Sequence, residues 1–452
     1  MIETFNPIET NITFYVLLNV FFCLFTASWI SGVFFTSRYL FIKPSMLLVS
    51  FSHIFFQWPL AIYAGYYEKF LPDPYAFALL IHAFVVVGLL VTIFTFRRNA
   101  RGIWDRVTDR HYLETAFSTK AILSITVLVI CVMFFYLSYL PFTSTGLYAI
   151  FKKSSTAAIA RENSLKLLDS QVLKYAYSLM VSALAPLLAV MLGILLTRDI
   201  RRRNLFSVPI HIFLFLLLCF AVSMTGARIA VVNLLIVMAL ALFFRKGLPF
   251  KPTRSLLLLL LFLIPPAIFS ILREGGEIGL AILFEYLGYL ARRTFVMPLN
   301  VASWYVHYSQ INGIFGITSL PKLSSILGIA PLNVPNIIGL VYSDGSKVTS
   351  TTAGAGYLFT YYAYFGLTSL LFSIIGLWFL DVALLVYERL SNVMLLPCVA
   401  AASLSILSFI SSDYTVVWLT HGFGVILLFS LLIDRFIVPK TDNSNFLSGQ
   451  GV

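Results

Sequence analysis

YSLMVSALAPLLAVMLGILLT, residues Tyr177–Thr197, contains no charged side chain. As a helix rising about 1.5 Å per residue it is long enough to cross the roughly 30 Å hydrocarbon core of a bilayer. AILSITVLVICVMFFYLSYL (Ala121–Leu140) and SLLLLLLFLIPPAIFSIL (Ser255–Leu272) have the same character. Around them lies a chain that is 60% hydrophobic, 16% aromatic and only 11% charged, whereas ordinary soluble domains carry roughly a quarter charged residues. Strand-type alternation over segments of about ten residues, which an outer-membrane barrel needs, is absent. The reading is an all-α polytopic membrane protein, one integral membrane domain over residues 1–452, with no soluble part large enough to have its own core.

Hydropathy predicts about eleven spans, near 14–36, 44–65, 76–96, 121–140, 177–197, 205–225, 228–244, 255–272, 357–386, 393–411 and 414–433. Charge tests this layout. Loops on one side hold Arg38 and Lys43; Arg97, Arg98, Arg101, Arg106 and Arg110; Arg198, Arg201, Arg202 and Arg203; Arg245, Lys246, Lys251 and Arg254; and Arg389. The positive-inside rule makes that face cytoplasmic, with the N-terminus outside and the C-terminal tail inside, as an odd number of spans requires. The net charge of +12 has the same origin, so no nucleic-acid partner is expected. The first apolar stretch is of full span length without a basic segment before it, and reads as a retained helix. Cys23, Cys131, Cys219 and Cys398 all fall inside apolar spans, without metal-site spacing and with burial that argues against a disulfide framework.

The outer face is left with two long connections, 141–176 and 273–356. In the second, Ile278–Leu290 is too short to span and suits an interfacial or re-entrant helix. The stretch after it, rich in Pro, Gly, Ser and Asn, reads as ordered loop with short helical turns. Five arginines sit on this side, at or close to span ends, where topology does not require them. Arg228, in SMTGARIAVV, opens a helix after a tight reversal at Gly226; it is either a snorkelling side chain or a cation gripping phosphate. Arg273, in FSILREGGEIG, has Glu274 and Glu277 within one or two turns. That group is either a surface ion pair or an anion-binding arginine with a carboxylate base beside it.

Arg292 and Arg293, in FEYLGYLARRTFVMP, stand among Tyr289, Trp304 and Tyr305, with Glu285 two turns earlier. They read as an interfacial aromatic belt with basic ends, or as sugar-stacking rings beside cations for a diphosphate. Adjacent helical residues diverge by about 100°, so one arginine of the pair is expected to face a shared cavity. Arg161, in AAIARENSLKLL, suits a plain solvated or headgroup role in the other outer loop. His53, His82, His211 and His421 are scattered singly and read as satisfied core histidines, while His307 faces outward and is a minor candidate for a base. No phosphate-binding glycine loop and no acidic pair for a metal-bound nucleotide sugar is present, so neither metal nor cofactor is expected and any substrate must arrive activated.

Three stretches carry a family resemblance: Gly226–Ala227–Arg228 opening a mid-chain span, Leu290–Ala291–Arg292–Arg293–Thr294–Phe295 in the long outer loop, and TAGAGYLFTYYAYFG (Thr352–Gly366). Together with the topology they resemble the Wzy-type polymerases, which extend lipid-linked oligosaccharides for O-antigen and related glycans. The resemblance implies a GT-C-like architecture in the bacterial inner membrane and a metal-independent, inverting glycosyl transfer at its periplasmic face. Donor and acceptor would be undecaprenyl-diphosphate-linked oligosaccharides, among membrane lipids, with room for a chain-length-regulating co-polymerase as partner. Arg228 and Arg292 match by position within motif. Arg273, Arg293 and Arg161 match by side and setting only. The related O-antigen ligases are expected to have a functional histidine late in the outer loop, where this chain has Thr349–Gly356 and none. Within that frame Arg228, Arg292 and Arg273 would neutralise the departing diphosphate. Glu274 or Glu277 would accept the acceptor hydroxyl's proton, and Arg293, Arg161, Tyr289, Trp304 and Tyr305 would bind substrate. The competing expectation is a lipid-linked oligosaccharide flippase, which would place charge along several spans around a central cavity, often with internal symmetry.

Overall fold

A computed structural model describes residues 12–109, 119–138, 171–204, 206–224, 228–246, 280–319, 327–330, 332–342 and 354–437, with positions 143, 145 and 148. Among the described residues there are helices and no strands. In chain order the helices are α1 Ile12–Thr36, α2 Pro44–Ser52, α3 Trp58–Ile62, α4 Ala64–Phe70, α5 Pro74–Phe94, α6 Arg97–Thr108, α7 Thr119–Ser138, α8 Gln171–Leu179, α9 Ala185–Arg201 and α10 Val208–Ser223. They continue as α11 Arg228–Lys246, α12 Leu280–Ala291, α13 Met297–Asn312, α14 Val334–Tyr342, α15 Tyr357–Phe365, α16 Ser369–Asp381, α17 Ala383–Arg389, α18 Asn392–Leu407, α19 Tyr414–Leu419 and α20 Phe423–Ile437. Among the described residues seven stretches are long and apolar enough to cross a membrane: Ile12–Thr36, Pro44–Ile62, Pro74–Phe94, Lys174–Arg201, Tyr357–Arg389, Asn392–Ile410 and Tyr414–Phe436. Thr119–Phe134, Val208–Ser223 and Ala230–Arg245 are shorter apolar helices. The expected span at 255–272 lies outside the described residues.

Two expected spans are interrupted. Gly366 (φ +62°) ends α15 inside 357–386, and Gly422 (φ +86°) separates α19 from α20 inside 414–433. Left-handed backbone cannot continue a helix, and hydropathy does not register it. Three other stretches are widened instead of broken. π-Helical turns occupy His53–Gln57, Met180–Leu184 and Arg292–Val296. Each ends two residues before a proline: Pro59, Pro186 and Pro298. Proline lacks the N–H that would bond the carbonyl four residues back, and its ring collides with that carbonyl. In all three cases the carbonyl lies in the middle of the turn, so widening there relieves the clash while the helix continues. Pro397, inside α18, has no such turn.

The chain divides into two compact units: residues 1–101, 284–384 and 405–418, and residues 102–283, 385–404 and 419–452. At one end of the first unit, Lys43 is fully buried. It donates to Thr92 O (2.5 Å), Thr95 O (2.7 Å) and Thr95 Oγ1 (3.1 Å), and pairs with Asp381 Oδ2 at 2.9 Å. Asp381 also accepts from Ser45 N (3.1 Å) and Ser45 Oγ (2.8 Å), so the pair ties α2, α5 and α16 together. Deeper in the same unit runs a directed chain of hydrogen bonds. Trp58 Nε1 can only donate and does so to His53 Nε2 (3.0 Å), which leaves the His53 Nδ1 proton for Gln57 Oε1 (2.6 Å). Gln57 Nε2 then donates to His82 Nδ1 (2.8 Å), and His82 Nε2 to Asn19 Oδ1 (2.8 Å). Both histidines are neutral links with fixed tautomers, as the expectation of satisfied core histidines required.

In the second unit α9 packs on α7, α10 and α11. Asp199 accepts from Ser207 Oγ (2.6 Å) and Arg198 Nε (3.2 Å), closing the turn into α10. His211, 1% exposed, lies 3.7 Å from Asp199 Oδ2, too far for a hydrogen bond, and neither ring nitrogen has a partner. The expectation of a satisfied histidine fails there. Arg106 donates to Asn392 Oδ1 (2.8 Å) and to the carbonyls of Glu388 (3.2 Å) and Leu390, covering acceptors that the end of α17 leaves open.

Candidate functional site

The apolar run expected as an interfacial helix is α12, and it does not stop where the run ends. It passes through the Arg292–Val296 π turn into α13, because Pro298 is met two residues beyond the turn. The arginine pair therefore sits on a widened turn in the middle of a long helix. Phe295 of this turn stacks on Phe55 of the π turn between α2 and α3, with ring centroids 5.4 Å apart and planes 11° apart. From there α13 rises alongside α3 and α4. Tyr67 Oη donates to Asn300 Oδ1 (2.5 Å), Phe70 stacks on His307 (4.7 Å), and Gln310 Nε2 donates to Asp73 O (3.0 Å). The pair thus lies level with the middle of the Pro44–Ile62 apolar stretch and not beyond its end. A groove of about 370 Å³ runs between the two π turns, lined by Ile54, Trp58, Pro59, Ile62, Tyr63, Phe295 and Val296.

Arg292 and Arg293 are both exposed. Arg293 Nη1 donates to Tyr289 Oη, one turn back, at 3.3 Å. Arg292 has no hydrogen-bond or ion-pair partner among the described residues. Glu285, two turns before it and also exposed, does not pair with it. The structure so separates the two neighbours: one guanidinium is steadied by an exposed tyrosine, and the other is unengaged.

The remaining candidates are distributed unevenly. Tyr305 is 0% exposed and presents no face to a ligand. Burial pushes its hydroxyl well above the ordinary phenol range, even though Ala355 bonds to it from the backbone. That contact ties α13 to the glycine strip before α15. The strip is tight: a Cβ on Gly354 would lie 2.5 Å from Ser411 O, and one on Gly356 2.9 Å from Phe409 O and Ile410 O. Trp304 stacks parallel to Tyr342 with an offset (5.8 Å, 4°), and Tyr342 Oη meets His307 Nδ1 at 2.5 Å. Burial lowers the His307 pKa, and burial with the neighbouring Tyr308 pushes Tyr342 up to about 12, so both rings are neutral and share a single proton-bearing contact. His307 is fifteen residues from Arg292, or roughly 22 Å along a helix axis, so the two do not act on one bond.

Arg228 is the first residue of α11, as expected, while its side chain lies outside the described set. Arg161, Arg273, Glu274 and Glu277 fall at positions outside the described residues. Among the described residues no group of three or more His, Cys, Asp or Glu could hold a metal ion. Sequence reasoning missed the π turn, for which Pro298 was the available signal, and Tyr342, whose pairing needs a long-range contact that no local pattern encodes. Comparison with family models, curated proteins and solved structures finds no match.

Proposed function

We propose that the protein is a polymerase that joins undecaprenyl-diphosphate-linked oligosaccharide repeat units into a surface polysaccharide at the periplasmic face of the inner membrane. The observation that carries this reading is Arg292: an exposed guanidinium without a carboxylate, on a π turn level with the middle of an apolar span, whose Phe295 and Val296 line an apolar groove. A cation in that setting suits a ligand with an anionic head and an apolar tail, and a planar guanidinium binds phosphate oxygens bidentately. In the transfer an acceptor hydroxyl oxygen forms the new bond to the anomeric carbon. The bond from that carbon to the diphosphate oxygen breaks, the electron pair leaves with the diphosphate, and the hydroxyl proton passes to a base. Arg292 would hold the departing diphosphate, assisted by Arg293 on its Tyr289 support, and Arg228 and Arg273 remain proposed as further cations for the diphosphate. Glu274 and Glu277 remain the carboxylates proposed as base, and Trp304 and Tyr289 the rings proposed to meet sugars.

A flippase is the second reading, and one observation favours it. Helices α15 and α19 begin inside the first unit: Tyr357 packs against Phe84, in the middle of α5, and Tyr414 Oη reaches Gly376 O, in the middle of α16. Helices interrupted at such depth are common in transporters. One assay separates the two. Purified protein is incubated with lipid-linked repeat units and the products are resolved by size. Chain growth lost in Arg292→Ala supports the polymerase, and no growth with intact protein removes it.

A further inference from the structure

The first unit holds a second group of arginines, for which the proposed reaction has no role. Tyr39, between α1 and α2, is 7% exposed. Arg97 donates from Nε to its hydroxyl (2.5 Å) and lies over its ring at 6.0 Å, and Arg101 lies over the same ring at 4.9 Å. Both arginines, and Arg98 beside them, are exposed. None of the three pairs with a carboxylate among the described residues. The first turn of α6, which holds Arg97 and Arg98 and is followed at once by Arg101, contains no acidic residue, so the positive end of the helix dipole adds to their charge. Burial by itself would raise the Tyr39 hydroxyl. The hydrogen bonds with Arg97 and Ser37 and the charges of Arg97 and Arg101 outweigh it, and the pKa falls below the ordinary value.

Two guanidinium groups fixed on one ring repel each other, and cation–π attraction of about 0.5–1 kcal/mol at an exposed site does not supply a counter-charge. An anion with several acceptor oxygens does. The apolar surroundings narrow its chemistry. Phe94, 77% exposed, is three residues before Arg97, and Phe35, 68% exposed, is three residues before Arg38. Both belong to the long apolar helices α5 and α1. A free phosphate would use only the arginines, whereas a lipid covers the rings with its chains and meets the arginines with its head. We propose that Arg97 and Arg101, with Arg98 beside them, form a binding site for the phosphate of an anionic phospholipid at the Tyr39 end of the first unit.

The test uses the full chain, transferred from detergent into nanodiscs of phosphatidylcholine with or without phosphatidylglycerol, with retained lipid counted by native mass spectrometry. Wild type is expected to retain phosphatidylglycerol preferentially, and Arg97→Gln/Arg101→Gln to lose that preference by about fivefold per arginine removed. The control Arg201→Gln/Arg202→Gln, which removes the same charge from the exposed C-terminal end of α9 in the second unit, is expected to retain the preference. Equal loss in both double variants overturns the proposal, since charge alone would then explain retention. A second arm adds inorganic phosphate to the mixed discs. Displacement of phosphatidylglycerol by millimolar phosphate would assign the site to a free anion and overturn the lipid. Should the double variant fail to reach the membrane, Arg101→Gln and Arg101→Lys replace it, with an unchanged lipid ratio in both counting against the site.

Discussion

Lys43 and Arg292 are both cations set among apolar helices of the first unit, and they differ in who supplies the counter-charge. Lys43 is fully buried, and Asp381, Thr92 and Thr95 take up its charge and its protons. Arg292 is exposed on a π turn, with no acceptor among the described residues. A cation whose partners are all protein holds helices together. A cation left open, on a turn whose Phe295 and Val296 line an apolar groove, is what the proposed ligand would meet. Arg97 and Arg101 are intermediate: the protein orients them on Tyr39 without neutralising them.

Removing the Lys43 charge tests the first half of that contrast and has the largest expected effect. Lys43→Met leaves Asp381 charged and buried, and is expected to cost about 3–5 kcal/mol. The double variant Lys43→Met/Asp381→Leu should recover most of it. Melting temperatures of the purified proteins decide this, and a double variant no more stable than the single one would show that the pair is not the cause. Arg292→Ala tests the other half. It should leave the melting temperature within a degree or two of wild type, while chain growth falls by about 10²–10³, the usual loss when a donor aimed at developing charge is removed. A fall in stability without a fall in growth would reverse the contrast.

Two smaller effects sharpen it. The buried histidines offer the same opposition in neutral form. His82→Leu strands Gln57 and Asn19 and should cost about 1–3 kcal/mol. His211→Leu removes a ring that makes no hydrogen bond and should cost about 1 kcal/mol or less. Chemical denaturation of the two variants side by side measures the difference, and equal losses would mean that the His82 bonds contribute nothing net. Pro298→Ala restores the N–H whose absence accounts for the π turn. The turn should relax toward α-helix and rotate Arg292 relative to Phe295, with chain growth reduced by up to about 10²-fold, the loss that a misplacement of about 1 Å can cause. Unchanged growth in this variant would show that the register of the arginine pair is immaterial.

Much of the architecture was legible in the chain. Runs such as Tyr177–Thr197 can only be helical in an apolar phase, since backbone groups have no other partners there. Ten of the expected spans coincide with apolar helices, seven of them of full crossing length. The interruptions at Gly366 and Gly422 were not legible, because hydropathy averages over a window and φ does not enter it. Of the candidate residues, Arg293 and Tyr289 meet one turn apart, with Arg292 exposed beside them. Tyr305 does not join them: an aromatic beside a polar loop looks the same in sequence whether it faces a ligand or the core.

The sequence by itself determined that the chain is a helical membrane protein with basic residues gathered in short connections, because the cost of transferring charge and unpaired backbone into hydrocarbon acts locally on every stretch of chain. Tertiary structure alone decided which cations remain available. Whether a charge is taken up depends on acceptors far away in the chain, as Asp381 is from Lys43, and local patterns do not encode such distances.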